Sequence, residues 1–166
     1  MSNRLTYPAW QSVLFKLTLA VLAISGIAQM PIFKRYYIAD IPGLDWTADF
    51  YFTHLAHYLA AAVLLFLISY RAATYLSAFR RSFQITFTGH VRILLYAVII
   101  ATGLMRVLKN LPEVSFSPST TMLIDWVHLG MALLLGLFSL ASLMIGHSTY
   151  LKKETLARLR TRPGYR

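Results

Sequence analysis

Five histidines are the side chains of this sequence whose type and placement could do metal or redox chemistry: His54, His57, His90, His128 and His147. All five fall inside, or at the ends of, long apolar runs. Ionisable side chains inside such runs are rare in membrane proteins and tend to be functional. Two neutral imidazoles on facing helices can sandwich a haem iron, which is how a helical bundle without thiolates holds a redox centre. There is no cysteine, so disulfides, iron–sulfur clusters and thioether-attached haem are excluded. Any metal must be held by His, carboxylate or Met.

The elements that must position these histidines are read from composition and run length. Hydrophobic residues make up 57% of the 166 residues and charged residues 13%, against about 45–50% and about 25% in soluble domains. A membrane-crossing helix needs about 20 mostly apolar residues. Four runs qualify: residues 10–33, closed by Pro31; 50–69, free of Lys, Arg, Asp and Glu; 87–107; and 122–146, with Asp125 in its first turn. The first is too long for a cleaved signal peptide and no small-x-small site follows it. The runs are continuous rather than alternating, which excludes a barrel. Short connections make sequential helices antiparallel neighbours. The expectation is an all-α, integral membrane four-helix up-down bundle over residues 1–148, followed by a basic amphipathic tail, residues 149–166. No internal repeat is visible in the sequence.

The net charge of +10 would suggest nucleic acid on a polar fold. Here the basic residues lie between and after apolar runs, where they set topology, and no nucleic-acid partner is expected. Arg4, Lys16, Arg71, Arg80, Arg81, Arg92 and the basic tail share the side of the two termini, with Glu154 its only acid. The opposite side mixes Lys34, Arg35, Arg106 and Lys109 with Asp40, Asp45, Asp49, Glu113 and Asp125. The positive-inside rule then makes both termini cytoplasmic. The tail alternates Leu156 and Leu159 with Arg158, Arg160 and Arg162, as a helix on anionic lipid or on a partner would.

Depth and packing sort the histidines. His57 is about seven residues into the second run and His128 about six into the fourth, both from the outer side. Small residues beside each leave room for a porphyrin: Ala60 and Ala61 one turn beyond His57, and Ala132 and Gly136 on the face of His128. His54 is a turn shallower, suited to a haem propionate or to the helix end. His90 and His147 sit at the cytoplasmic edge beside bulkier Ile93, Leu94 and Leu143. A lone intramembrane His is otherwise an interhelical hydrogen-bond donor.

At these residues the sequence resembles a known family, the cytochrome b subunits of membrane-bound formate dehydrogenases and uptake nickel–iron hydrogenases. Those are four- or five-helix diheme quinone reductases. His57 followed by Arg71 in Ser-Tyr-Arg is similar to the family's haem-ligand His and the Arg-aromatic end of the same helix. Val127-His128-Leu129-Gly130-Met131 looks like its His-Leu-Gly-Met segment. Ser25-Gly26 and Thr102-Gly103 are similar to its Thr-Gly. The family's cytoplasmic-side haem would take ligands near Ser12 and at Ser142, and neither is His. The resemblance therefore implies one haem b on His57 and His128. A second haem rebuilt on His90 and His147 is the alternative.

What the resemblance implies is an electron-transfer subunit rather than a complete enzyme. It would relay electrons between an outer-face redox subunit (an iron–sulfur protein or a cytochrome c) and the quinone or quinol pool of a bacterial inner membrane. Ser12 and Lys16, at i and i+4, could line a quinone pocket, or Lys16 could snorkel to the interface. The competing reading is a haem-free membrane anchor or assembly subunit. A transporter is disfavoured, because no run is broken at mid-depth.

Overall fold

The computed structural model describes residues 8–30, 32–80, 83–146 and 151–153. Five α-helices follow the chain: α1 (Ala9–Ala28), the single turn α2 (Ile32–Arg35), α3 (Phe50–Thr74), α4 (Phe87–Leu108) and α5 (Pro118–Met144). Four of them, α1, α3, α4 and α5, are long and apolar enough to cross a membrane, in keeping with an integral membrane protein. The described residues also include a two-stranded antiparallel ribbon, β1 (Phe83–Ile85) with β2 (Leu151–Lys153). Its register pairs Gln84 with Lys152. Within the expected basic tail, residues 151–153 form a strand; its other residues lie outside the described residues.

The helix ends follow local chemistry. Asp49 caps α3 by accepting from the backbone N–H of Phe52 at 3.0 Å. Thr86 caps α4 through the N–H of Gly89 at 3.0 Å. Ser117 caps α5 through the N–H of Thr120 at 3.2 Å, and Pro118 fills the first helical position, where its missing N–H is harmless. This Ser-Pro start places the beginning of α5 four residues before the expected Met122. His128 is then ten residues into its helix and His57 seven, so the matched depth read from run lengths does not hold when counted from helix starts. At its other end α3 passes into a π-helical turn, Tyr75–Phe79, well beyond the expected Ser69.

The chain forms two compact units, Met1–Ala78 and Phe79–Arg166. In the first, α1 packs against α3; in the second, α4 packs against α5. Each pair is antiparallel. In the first, the end of α1 at Gly26 meets the start of α3 at His57, while Phe15 meets Arg71. In the second, Gly103 meets His128, while Arg92 lies over Phe138.

The buried faces are strongly polar for helices so apolar outside. On α1 they are Gln11, Thr18 and Ser25, seven residues apart, or two helical turns. On α4 they include Gly89, Arg92, Tyr96 and Thr102. In a membrane no hydrophobic force drives helices together, so small residues that allow close approach take that role. The buried hydroxyls satisfy themselves on their own helix. Thr18 donates to the Leu14 carbonyl at 2.8 Å and Thr53 to that of Asp49 at 2.9 Å. Ser142 donates to that of Phe138 at 2.6 Å. Leu64 and Leu67 of α3 supply the apolar part of the first interface.

Leu67 is 2% exposed, whereas Leu137 is 65% exposed. Truncating Leu67 to Ala removes packed volume and should destabilise the chain by about 2–4 kcal/mol. Leu137→Ala, at this exposed position, should leave the thermal unfolding midpoint in detergent nearly unchanged. Equal midpoints for the two variants would refute this view of the α1–α3 interface.

Candidate functional site

Both central histidines sit in the same local arrangement, built twice. In the first unit, Ser25 Oγ lies 3.0 Å from His57 Nδ1. In the second, Thr102 Oγ1 lies 3.0 Å from His128 Nδ1. Each hydroxyl is followed by a glycine, and each glycine faces the same imidazole. A Cβ at Gly26 would stand 3.3 Å from His57 Cε1, and one at Gly103 would stand 3.3 Å from His128 Cε1. Glycine is therefore what lets the ring lie against the backbone of the neighbouring helix.

The direction of these hydrogen bonds follows from what each hydroxyl already does. Ser25 donates its one proton to the Val21 carbonyl at 2.6 Å. Thr102 donates to the Val98 carbonyl at 2.8 Å. With that proton committed, the oxygen can only accept from the imidazole. Nδ1 of each histidine therefore carries hydrogen. The second unit argues this independently, because His128 Nδ1 is also 3.1 Å from the Ile99 carbonyl, an acceptor with no proton to give. In a neutral imidazole of this tautomer the lone pair resides on Nε2. Metal-bound histidines are commonly held in this way, with the second ring nitrogen donating to a carbonyl or oxygen acceptor.

The remaining sequence candidates fall as follows. His54 bonds Tyr58 Oη through Nε2 at 2.9 Å and packs on Phe50, at the start of its own helix. His90 is exposed, and its Nδ1 bonds the Thr86 carbonyl at 2.9 Å, a local contact one turn back. His147 lies outside the described residues, so the alternative haem on His90 and His147 is only half described. Ala61 is half-buried, whereas Ala132 and Gly136 lie on an open stripe of α5, with nothing within 4 Å of a Cβ built at Gly136. Ser12 and Lys16 are both exposed; the buried polar residue at that end of α1 is Gln11. Ser142, where the resembled family would carry a ligand, is buried and bonded to its own helix.

The two units are therefore an internal repeat, which the sequence does not make visible. Thr102-Gly103 follows Ser25-Gly26 by 77 residues, and His128 follows His57 by 71. On that second spacing Ala132 matches Ala61, and the buried Ile124 matches the buried Thr53. The charged ends match in kind. Arg71 lies 4.2 Å from the Phe15 ring centroid, and Arg92 lies 5.8 Å from that of Phe138. At the other end of the second unit, Arg106 Nε lies 2.9 Å from Asp125 Oδ1 in an ion pair, with Lys109 3.7 Å from the same carboxylate. Among the described residues, no group of three or more His, Asp or Glu side chains could hold a bare metal ion.

Selective 15N labelling of histidine tests the tautomers without any cofactor. His57 and His128 should show protonated Nδ1 and unprotonated Nε2. Ser25→Ala should release the preference at His57, and Ser25→Thr should keep it. A protonated Nε2 at either ring in the unaltered protein would overturn the assignment. Comparison of the chain with family models, curated proteins and solved structures finds no match.

Proposed function

We propose that this chain is a membrane cytochrome b subunit that carries electrons through one b-type haem, with His57 and His128 as axial ligands. The observation that carries the reading is the repeated hydroxyl–imidazole–glycine arrangement. Two histidines in apolar helices are each fixed as the Nδ1–H tautomer, the form whose Nε2 lone pair ligates iron.

The residues fit such a cofactor. Haem, when bound, supplies reversible one-electron chemistry. His57 and His128 would hold its iron. Ser25 and Thr102 keep a proton on each Nδ1 and fix each ring's orientation. Gly26 and Gly103 give the rings their seat. The helices that carry both histidines are apolar. The resemblance to the formate dehydrogenase and hydrogenase cytochrome b subunits extends the reading to electron exchange with an outer-face redox subunit and with the quinone pool of a bacterial inner membrane. It extends also to a four-helix up-down bundle with cytoplasmic termini. The charge bias of the sequence supports that orientation. The segment leading into α3 exposes Tyr36, Tyr37, Phe50 and Tyr51, which have the character of an interfacial aromatic belt.

The purified chain should give a reduced pyridine haemochrome spectrum at one haem per chain. His57→Ala and His128→Ala should each abolish it, whereas His54→Ala should retain the haem. An unaltered chain free of haem would favour the anchor or assembly reading. Two haems, with one lost on His90→Ala or His147→Ala, would show a second site.

Orientation is tested separately, with single cysteines and a membrane-impermeant thiol reagent. A cysteine at residue 45 should be labelled from outside and one at residue 160 protected. The reverse pattern would move the partner to the cytoplasmic face.

A further inference from the structure

The internal repeat exposes one position where the two units differ in a way that points to a ligand. In the second unit, the residue three beyond Gly103 is Arg106, and the residue three before His128 is Asp125. They form the 2.9 Å ion pair at the end of the helix pair. The matching residues of the first unit are Gln29, three beyond Gly26, and His54, three before His57. The side-chain N–H donor is thus kept, but its carboxylate is not. Gln29 Nε2 is buried and has no hydrogen-bond partner. Of the groups at this end of the first unit, His54 is engaged with Tyr58 on its own helix. Asp49 Oδ1 is engaged with the N–H of Phe52.

A buried amide N–H without an acceptor is a state that folded proteins avoid. Here the second unit shows what chemistry belongs at this place, because the equivalent side chain there forms an ion pair with a carboxylate. We infer that Gln29 anchors a carboxylate of the bound cofactor, its Nε2–H donating to that carboxylate one turn beyond the Gly26–His57 contact. The inference rests on the haem reading, since haem b carries two propionate carboxylates and a ring that approaches the protein through its iron. Gln29 is the uncharged counterpart of Arg106. Within the first unit it supplies a donor in apolar surroundings without adding a buried charge of its own.

The test uses the full-length chain, purified without haem in detergent and titrated with haemin and with haemin dimethyl ester, in which both carboxylates are blocked. The unaltered chain should prefer haemin, and Gln29→Leu should reduce that preference roughly tenfold to a hundredfold, the range for a hydrogen bond to a charged group. The loss should fall on haemin, with affinity for the ester unchanged. Gln29→Glu, nearly identical in size, should weaken haemin still further by placing two carboxylates together, and Gln29→Arg should restore it. If Gln29→Leu loses both porphyrins through misfolding, Gln29→Glu decides. Haemin preference unchanged in Gln29→Glu overturns the anchor while leaving the haem reading standing. Binding of neither porphyrin by the unaltered chain overturns the haem reading and the anchor together.

Discussion

The hydrogen bond from a serine or threonine hydroxyl to the carbonyl four residues back on its own helix is the constraint on which the rest of this protein depends. In a soluble helix such a back-bond is a minor contact. In a membrane it settles a buried polar atom without water and, by committing the only proton, turns the oxygen into a pure acceptor. Ser25 and Thr102 then dictate where the imidazole proton sits on His57 and His128. The glycine that follows each hydroxyl lets the ring come close enough for the dictation to work. Packing, tautomer and ligand-forming lone pair are consequences of two adjacent residues on one helix and one histidine on the next.

The fold is legible in the sequence wherever a helix is defined by its solvent. The four spans follow from length and apolarity, and Pro31 and Gly146 mark ends at or near those observed. The boundaries that shift do so for local reasons. Ser117 and Pro118 start α5 early, because a cap and a proline at the first position make a helix begin in a stretch that hydropathy reads as loop. The end of α3 runs on through Tyr70–Thr74 and a π-turn, because helix-compatible residues continue past the last apolar run. The ribbon joining residues 83–85 to 151–153 pairs segments far apart in sequence, which no local pattern announces.

The candidate site is legible only in part. His57 and His128 stand out because ionisable residues are scarce in apolar helices. Ser25-Gly26 and Thr102-Gly103 can be noticed by resemblance, but nothing in the residues alone says that each pair touches a histidine. The repeat stays hidden because what recurs is a contact geometry, carried by few identical positions: a hydroxyl residue, a glycine, a histidine and an alanine. The many exposed positions of each helix carry assorted apolar residues. Gln29 is missed for a related reason. A glutamine at a helix end is unremarkable until its counterpart, Arg106, is seen paired with a carboxylate.

The four long helices differ in length, and that difference bears on the membrane itself. At about 1.5 Å per residue, the 20 residues of α1 reach about 30 Å and the 27 residues of α5 about 40 Å. A hydrocarbon layer is about 30 Å thick, so α1 is just long enough to cross it, whereas α5 is longer than it needs to be. Ser25 holds α1 to α3 near one end and Phe15 holds it near the other, so α1 cannot gain length by sliding. In a thicker bilayer the strain falls first on this short helix, and flanking lipid must thin around it. The shortest helix, α1, therefore sets the range of bilayers in which the chain sits without distortion.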